Sequence, residues 1–231
     1  FFFKQKTAYE IRNCDWSSDV CSSDLDDAAT DAGAVYLLLG PLSGWADLSA
    51  HDGKYIGEAA NDEVGDVVRL AGDLDGDGLR DLVIGAPGNG LGGGAWAFAG
   101  PGAYAIHRTA EAFASWSADE LDDDLGASVV CPGDLDRDSQ DDFVIGAPGA
   151  DISGTSSGAA YVYFGPFAGA YVPDQADSIL YGGAASDYAG RALAAPGDTD
   201  GDGIPDLLVG ATGVDDGGSS AGAALLLLGP G

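Results

Sequence analysis

The sequence has few basic residues and no long apolar run, and each shortage argues against a class of function. Lysine and arginine together number 9 against 38 aspartates and glutamates, which gives a net charge of −29 over 231 residues. Such a negative surface repels the phosphates of nucleic acids and of anionic membranes, so we expect neither as a partner. The longest apolar stretch, residues 223–228, is far too short to span a bilayer, and no membrane insertion is expected in this sequence.

Histidine is also scarce, and its scarcity weakens two motifs that look catalytic. The only histidines are His51 and His107. Residues 154–158 match G-x-S-x-G, which needs a histidine partner and a strand-to-helix turn, and residues 88–93 match G-x-G-x-x-G, which needs a following helix to bind phosphate. Strand-like runs follow both motifs. We therefore interpret them as flexible turns and expect neither catalytic residues nor enzyme activity.

The first 25 residues have no counterpart in the rest of the chain. Residues 4–11 and 14–25 resemble the translation of a sequencing adapter. Residues 26–33, in contrast, align without gaps on residues 215–222, and both segments lead into an apolar run that ends in Gly-Pro. We treat residues 1–25 as an artefactual segment outside the fold, so that a signal peptide is not observable. Only Cys131 then remains, and no disulfide framework is expected.

What the chain does contain is a tandem repeat. Four apolar runs end in Gly-Pro, and their prolines are 60, 65 and 64 residues apart, at Pro41, Pro101, Pro166 and Pro230. Short apolar segments between turns rich in Gly, Pro and Asp indicate buried strands rather than helices. We place the repeats at approximately residues 42–101, 102–166 and 167–230, with residues 26–41 as the end of a preceding unit.

Each repeat is predicted to form four strands. Three are well marked, and the candidates for the weaker fourth are residues 54–57, 113–116 and 178–182, although residues 107–121 could also form a short helix. Such a unit, repeated around a ring, describes an all-β fold of β-propeller blades, each a four-stranded antiparallel sheet.

A nine-residue segment with aspartate at positions 1, 3, 5 and 9 occurs once in each repeat. We call these segments loop 1 (residues 73–81), loop 2 (residues 134–142) and loop 3 (residues 198–206). Their aspartates are Asp73, Asp75, Asp77 and Asp81, then Asp134, Asp136, Asp138 and Asp142, then Asp198, Asp200, Asp202 and Asp206. Four carboxylates so spaced can surround one hard cation, and a cage of several protein oxygens suits calcium better than magnesium. We expect about three Ca²⁺ ions, one for each complete repeat.

The loops are not EF-hands. An EF-hand places a glutamate at position 12 and a helix on each side of the loop. Position 12 is Ile84, Ile145 or Val209 here, and each lies in a strand-like run.

The repeats resemble FG-GAP repeats, the blades of the integrin alpha-subunit propeller and its bacterial relatives. The matching elements are the aspartate loop, a glycine before the first strand (Gly65, Gly126 and Gly190), and Gly-Ala-Pro at residues 85–87 and 146–148. The third repeat departs from the pattern with Gly-Ala-Thr at residues 210–212, and Val64, Leu125 and Ala189 replace the usual aromatic residue before the glycine.

The resemblance implies a seven-bladed ring, of which this chain supplies three blades and a fraction. It also implies that the carbonyl oxygen at position 7 is a further calcium ligand, contributed by Leu79, Gln140 and Ile204.

Loop 2 differs from the other two loops in its small residues. Position 6 is glycine in loops 1 and 3, at Gly78 and Gly203, and glycine permits the sharp turn that brings position 9 back to the ion. Loop 2 has Ser139 there and Arg137 at position 4. Since Ser139 must adopt the backbone conformation of the glycine, we expect loop 2 to bind most weakly.

These observations predict a calcium-binding, extracellular or cell-surface scaffold for adhesion or protein–protein interaction. Calcium reaches millimolar levels outside cells, which suits weak loop sites. Two alternatives stay open: a lectin-like propeller that binds a glycan between blades, and an accessory domain of a secreted hydrolase.

Overall fold

The computed structural model describes residues 31–38, 48, 51–90, 92–100 and 106–229, and these residues form strands and two short 3-10 helices. The strands are β1 (Ala34–Leu37), β2 (Gly53–Ile56), β3 (Val67–Leu70), β4 (Leu82–Ala86), β5 (Gly94–Phe98), β6 (Ile106–Arg108), β7 (Ala114–Ser117), β8 (Ser128–Gly133), β9 (Asp142–Ala147), β10 (Ala159–Tyr163), β11 (Gly169–Tyr171), β12 (Ser178–Tyr181), β13 (Ala189–Gly197), β14 (Asp206–Ala211) and β15 (Ala223–Leu227). The 3-10 helices are Thr109–Glu111 and Pro173–Gln175. None of the helices in this described part could cross a membrane.

The strands form four successive sheets, three that each contain one aspartate loop and one at the N-terminal end. Blade 1 is the antiparallel set β3, β4, β5 and β7, blade 2 is β8, β9, β10 and β12, and blade 3 is β13, β14 and β15. The fourth strand of blades 1 and 2 comes from the start of the next repeat as bounded above. The N-terminal sheet pairs β1 with β2. The strands of each blade lie side by side in chain order, which is the up-and-down order of propeller blades. The all-β prediction is confirmed.

The ambiguous segment at residues 107–121 forms a strand. The chain passes through the 3-10 helix Thr109–Glu111 and then forms β7, which pairs with β5. Apolar and polar side chains alternate in β7, with Ala114 and Trp116 buried. Alternation of period two is the strand pattern, and the fourth-strand prediction is therefore confirmed.

Two short strands that the sequence did not predict join neighbouring sheets: β6 joins blade 1 to the N-terminal sheet, and β11 joins blade 2 to blade 1. Strand β6 pairs in parallel with β2 of the N-terminal sheet, and β11 pairs in parallel with β7 of blade 1. At each junction one pair of facing residues in the two strands has stacked rings. His107 stacks on Tyr55 with 4.9 Å between ring centroids, and Tyr171 stacks on Trp116 with 5.5 Å between ring centroids. Each connection between the third and fourth strands thus covers the outer edge of the preceding blade, which gives blade 1 a fifth strand.

The core lies between the blades. Every residue of β4, β9 and β10 is buried, because blades 1 and 2 each have a neighbour on both faces. The largest cluster joins blades 1 and 2 and includes Trp116, Phe143 and Tyr163. Trp116 lies 4.2 Å from Phe143 between ring centroids and is 1% exposed.

The glycines of the repeat allow adjacent blades to approach at the backbone. A Cβ atom on Gly85 would lie 2.5 Å from the carbonyl oxygen of Gly126 in the next blade, and one on Gly146 would overlap the carbonyl of Gly190. Gly126 also donates its N–H to the carbonyl of Gly146 at 2.9 Å. The glycine before the first strand and the glycine of Gly-Ala-Pro are therefore packing partners.

Candidate metal centres

Each aspartate loop connects the first strand of its blade to the second and has the same internal hydrogen bonds. In loop 1, the position 1 carboxylate accepts the N–H of Gly78 at 2.8 Å, and the position 3 carboxylate accepts the N–H of Asp77 at 3.0 Å. The position 5 carboxylate accepts the N–H of Leu79 at 2.7 Å. The same three bonds occur in loop 2 at 2.8, 3.1 and 2.7 Å, and in loop 3 at 2.9, 3.2 and 2.9 Å. Backbone N–H groups therefore orient the carboxylates before any ion binds.

Positions 4 and 6 have a left-handed backbone in all three loops. Loops 1 and 3 have glycine at both positions, and Gly78 and Gly203 have φ values of 86° and 90°. Arg137 and Ser139 occupy these positions of loop 2 with φ values of 68° and 73°. Loop 2 thus has the same turn without the residue that favours it, as the sequence predicted.

The aspartate at position 9 is the structural anchor of each loop. Asp81 immediately precedes the second strand of blade 1 and has no exposed surface, and it accepts the N–H of Leu74 at 2.8 Å and that of Gly100 at 2.9 Å. Asp142 accepts N–H groups from Leu135 at 2.6 Å and Gly165 at 3.0 Å. In loop 3 the equivalent donors are Thr199 at 2.7 Å and Gly229 at 3.0 Å.

These bonds explain the repeated Gly-Pro marker. Gly100, Gly165 and Gly229 are its glycines, and each joins the end of the third strand to the loop through the buried carboxylate. A Cβ atom on Gly165 would lie 2.6 Å from the carbonyl oxygen of Asp141, so this glycine also makes room for the loop. In the sequence, the marker indicates only the period of the repeat. Its recurrence after every third strand was the signal of this role.

Burial and hydrogen bonding act in opposite directions on these anchors. Burial raises the pKa of Asp81 and of Asp142 to about 6, although the N–H donors partly oppose the effect. The Thr199 hydroxyl, followed by the N–H groups of Gly229 and Thr199, lowers the pKa of Asp206. Thr199 is at position 2 of loop 3, where the other loops have Leu74 and Leu135.

Three carboxylates come together in each loop. In loops 1 and 2 they are positions 1, 3 and 9, and in loop 3 they are positions 1, 3 and 5. The groups are Asp73, Asp75 and Asp81; Asp134, Asp136 and Asp142; and Asp198, Asp200 and Asp202, with one oxygen of each residue within 4.8 Å of the others in its group. Asp77 and Asp138 at position 5, and Asp206 at position 9, lie outside these groups.

The donor sets fit calcium. Calcium–oxygen distances of about 2.3–2.6 Å place ligand oxygens within about 5 Å of one another, which is the spacing of these groups. A flexible shell of carboxylate oxygens is also the calcium preference. That the carbonyl oxygens of Leu79, Gln140 and Ile204 are further calcium ligands stays a prediction.

The fold and the loops define a class of protein: a β-propeller with an acidic, cation-suited loop between the first two strands of its blades. Comparison with known proteins supports this class. The family model "FG-GAP repeat" matches residues 70–103, 126–163 and 189–227, which cover the three loops. The chain thus contains three FG-GAP repeats, which is consistent with integrin-alpha-like propeller blades.

Two proteins similar to this chain are integrin alpha subunits. Integrin alpha-PS5 of Drosophila melanogaster is 31% identical over 155 residues, which cover 63% of this chain and 15% of that protein. Integrin alpha-5 of Xenopus laevis is 36% identical over 96 residues, which cover 39% of this chain and 9% of that protein. The chain therefore matches only a small part of the length of these relatives.

Proposed function

We propose that this chain is a calcium-binding, extracellular or cell-surface scaffold that mediates adhesion or protein–protein interaction without catalysis. The observation that carries the proposal is the threefold recurrence of one loop, at one place in successive blades, with three carboxylates within 4.8 Å. A turn that needed only to reverse the chain would not require these charges, since glycine and asparagine turns do so at no electrostatic cost.

The metal would have a structural role. Each loop joins the first and second strands, and its position 9 carboxylate joins the third strand through the Gly-Pro glycine. Three carboxylates so close repel one another, and a divalent cation converts this repulsion into attraction. We therefore infer that calcium stabilises each blade and holds the connections in position for a partner.

The interaction role rests on similarity to integrin alpha subunits, together with the calcium supply outside cells. The partner would be a protein or a glycan. The strongly acidic composition favours a partner surface with basic residues, because opposite potentials accelerate association.

The structure also supports the non-catalytic part of the proposal. Ser156, the serine of the G-x-S-x-G match, lies in a turn that leads into β10, and its N–H donates to Asp151. The G-x-G-x-x-G match leads into β5. Burial raises the pKa of the Cys131 thiol to about 12, which keeps it protonated and a poor nucleophile at neutral pH.

Calorimetric titration of the full chain with Ca²⁺ tests the metal half of the proposal. We expect about three ions per chain at millimolar calcium, and no binding when the aspartates at positions 1 and 3 of all loops are replaced by asparagine. Equal heats for the two proteins would contradict calcium binding. The same pair, immobilised and exposed to a panel of extracellular matrix proteins and glycans, tests the interaction half. Absence of binding to the whole panel in calcium would contradict that half alone.

A further inference from the structure

Asp141, at position 8 of loop 2, reaches out of its own loop and contacts loop 1 in the preceding blade. Its Oδ2 atom accepts the N–H of Asp73 at 2.8 Å, across a sequence separation of 68 residues. Asp73 is position 1 of loop 1, and its carboxylate belongs to the carboxylate group there. Asp141 itself belongs to neither group. Its carboxylate therefore holds the backbone of a candidate ligand in the neighbouring blade.

The packing around this bond is specific. A Cβ atom on Gly72, the residue before loop 1, would overlap the Asp141 carboxylate. Gly72 does not have a positive φ, so its lack of a side chain serves the contact rather than a turn. The backbone of Asp141 is also closely packed, since a Cβ atom on Gly165 would lie 2.6 Å from its carbonyl oxygen. The lack of a side chain at both glycines thus makes room for Asp141.

Position 8 has a different residue in each of the other two loops, and these loops therefore serve as internal controls for the contact made by Asp141. Loop 3 has Pro205 at position 8, and a Cβ atom on Gly133, the residue before loop 2, would lie 3.4 Å from its Cγ. Position 8 therefore lies over the start of the preceding loop in both pairs of blades. Only Asp141 supplies a hydrogen-bond acceptor there, because proline has a hydrocarbon side chain and Arg80 of loop 1 has donors alone.

We propose that Asp141 is a positioning residue that couples loop 2 to loop 1, so that a divalent cation in either loop raises the affinity of the other. The inference rests on the proposed calcium binding. An ion in loop 2 would restrain Asp142 at position 9 and therefore the adjacent backbone of Asp141. The restrained carboxylate then orients the Asp73 backbone, and by linkage an ion in loop 1 restrains Asp141 in return.

The test is a thermodynamic cycle on the full chain with loop 3 silenced by Asp198→Asn and Asp200→Asn. Calorimetry with Ca²⁺ measures the pair of loops together, then loop 1 alone in Asp134→Asn with Asp136→Asn, then loop 2 alone in Asp73→Asn with Asp75→Asn. We expect the product of the paired association constants to exceed the product of the single constants by about fivefold or more.

Variants at the contact separate a hydrogen bond from simple charge. Asp141→Ala and Gly72→Ala are expected to reduce the excess to less than about twofold, while Asp141→Asn keeps an oxygen acceptor and retains part of it. Asp174→Asn removes the same charge from an exposed position in the 3-10 helix Pro173–Gln175 and should leave the excess unchanged. If Asp141→Ala does not fold, Gly72→Ala and Asp141→Asn carry the comparison.

The outcomes distinguish this inference from the function on which it rests. Absence of calcium binding by either loop overturns the proposed function. Binding by both loops with no excess in the paired constants overturns the coupling and leaves the proposed function standing. An equal loss of the excess in Asp174→Asn and Asp141→Asn also overturns the coupling, because the excess would then depend on long-range charge rather than on the hydrogen bond. The pair of loops 2 and 3, measured in the same way, is expected to show no excess.

Discussion

Replacing Ser139 in loop 2 by glycine is expected to stabilise the chain. Ser139 has φ 73°, in the region where Gly78 and Gly203 lie at 86° and 90°. Its side chain is exposed, and its N–H, which donates to Asp134 at 2.8 Å, is retained by glycine. A left-handed conformation costs a non-glycine residue about 1–2 kcal/mol, so replacing Ser139 by glycine removes this cost. Glycine also increases the conformational entropy of the unfolded chain, which offsets part of the stabilisation. We expect a net increase of about 1 kcal/mol in the free energy of unfolding.

Loops 1 and 3 supply the matched reverse substitutions. A Cβ atom added to Gly78 or to Gly203 meets no other atom within 4 Å, so neither Gly78→Ser nor Gly203→Ser creates a clash. Each should lower the free energy of unfolding by about 1 kcal/mol from backbone conformation alone. The three substitutions, all at position 6, are therefore expected to change the free energy of unfolding by the same amount. The change is an increase for Ser139→Gly and a decrease for the two reverse substitutions.

Thermal unfolding followed by circular dichroism, in saturating calcium and in EDTA, measures the effect. For a chain of this size about 1 kcal/mol corresponds to a shift of about 2–4 °C in Tm, upward for Ser139→Gly and downward for the reverse substitutions. A Ser139→Gly variant that melts lower, or a Gly78→Ser variant that melts with the parent, would refute the reasoning. Calorimetry adds a second readout: Ser139→Gly raises the calcium affinity of loop 2 if the turn forms only with the ion, which is what the weak binding expected of loop 2 requires, and it leaves the affinity unchanged if the turn is already formed without the ion.

Three further predictions concern the metal, the core and one buried acid. Removing calcium with EDTA should lower Tm by about 10 °C, since three sites at about ten times their Kd contribute about 1.4 kcal/mol each; an unchanged melt would contradict structural calcium. Trp116→Ala should lower the free energy of unfolding by about 4 kcal/mol in urea titrations. Trp116→Phe should cost far less, because it also removes a buried indole N–H that has no acceptor in the described residues; equal losses would contradict this. Burial, followed by repulsion from Glu120 and Asp151, raises the pKa of Asp123 to about 6. Because the folded-state pKa is raised, the folded protein is most stable with this carboxyl protonated and loses stability as the pH rises from about 4 to about 6. Asp123→Asn should therefore raise the free energy of unfolding by about 1 kcal/mol near neutral pH and change it little near about pH 4; equal effects at both would count against it.

Much of the fold could be predicted because its signals are local. Strands β4 and β9 are continuous apolar runs bounded by an aspartate loop and Gly-Ala-Pro, and the structure buries every residue in them. The turn at Ser139 could likewise be expected, because the glycines at the equivalent positions reveal what backbone is needed. Strand β11 could not, because a three-residue strand has no period, and its parallel partner β7 is distant in sequence.

The candidate sites divide in the same way. The sequence by itself determined which residues form the aspartate loops, how often they recur and that loop 2 lacks its glycines, because carboxylate spacing and turn chemistry are properties of a few consecutive residues. The tertiary structure alone decided which three carboxylates meet in each loop, and that Asp141 holds Asp73 in the next blade. These contacts depend on how blades stack and on where the third strand ends, and the geometry between blades is set by packing rather than by any local pattern.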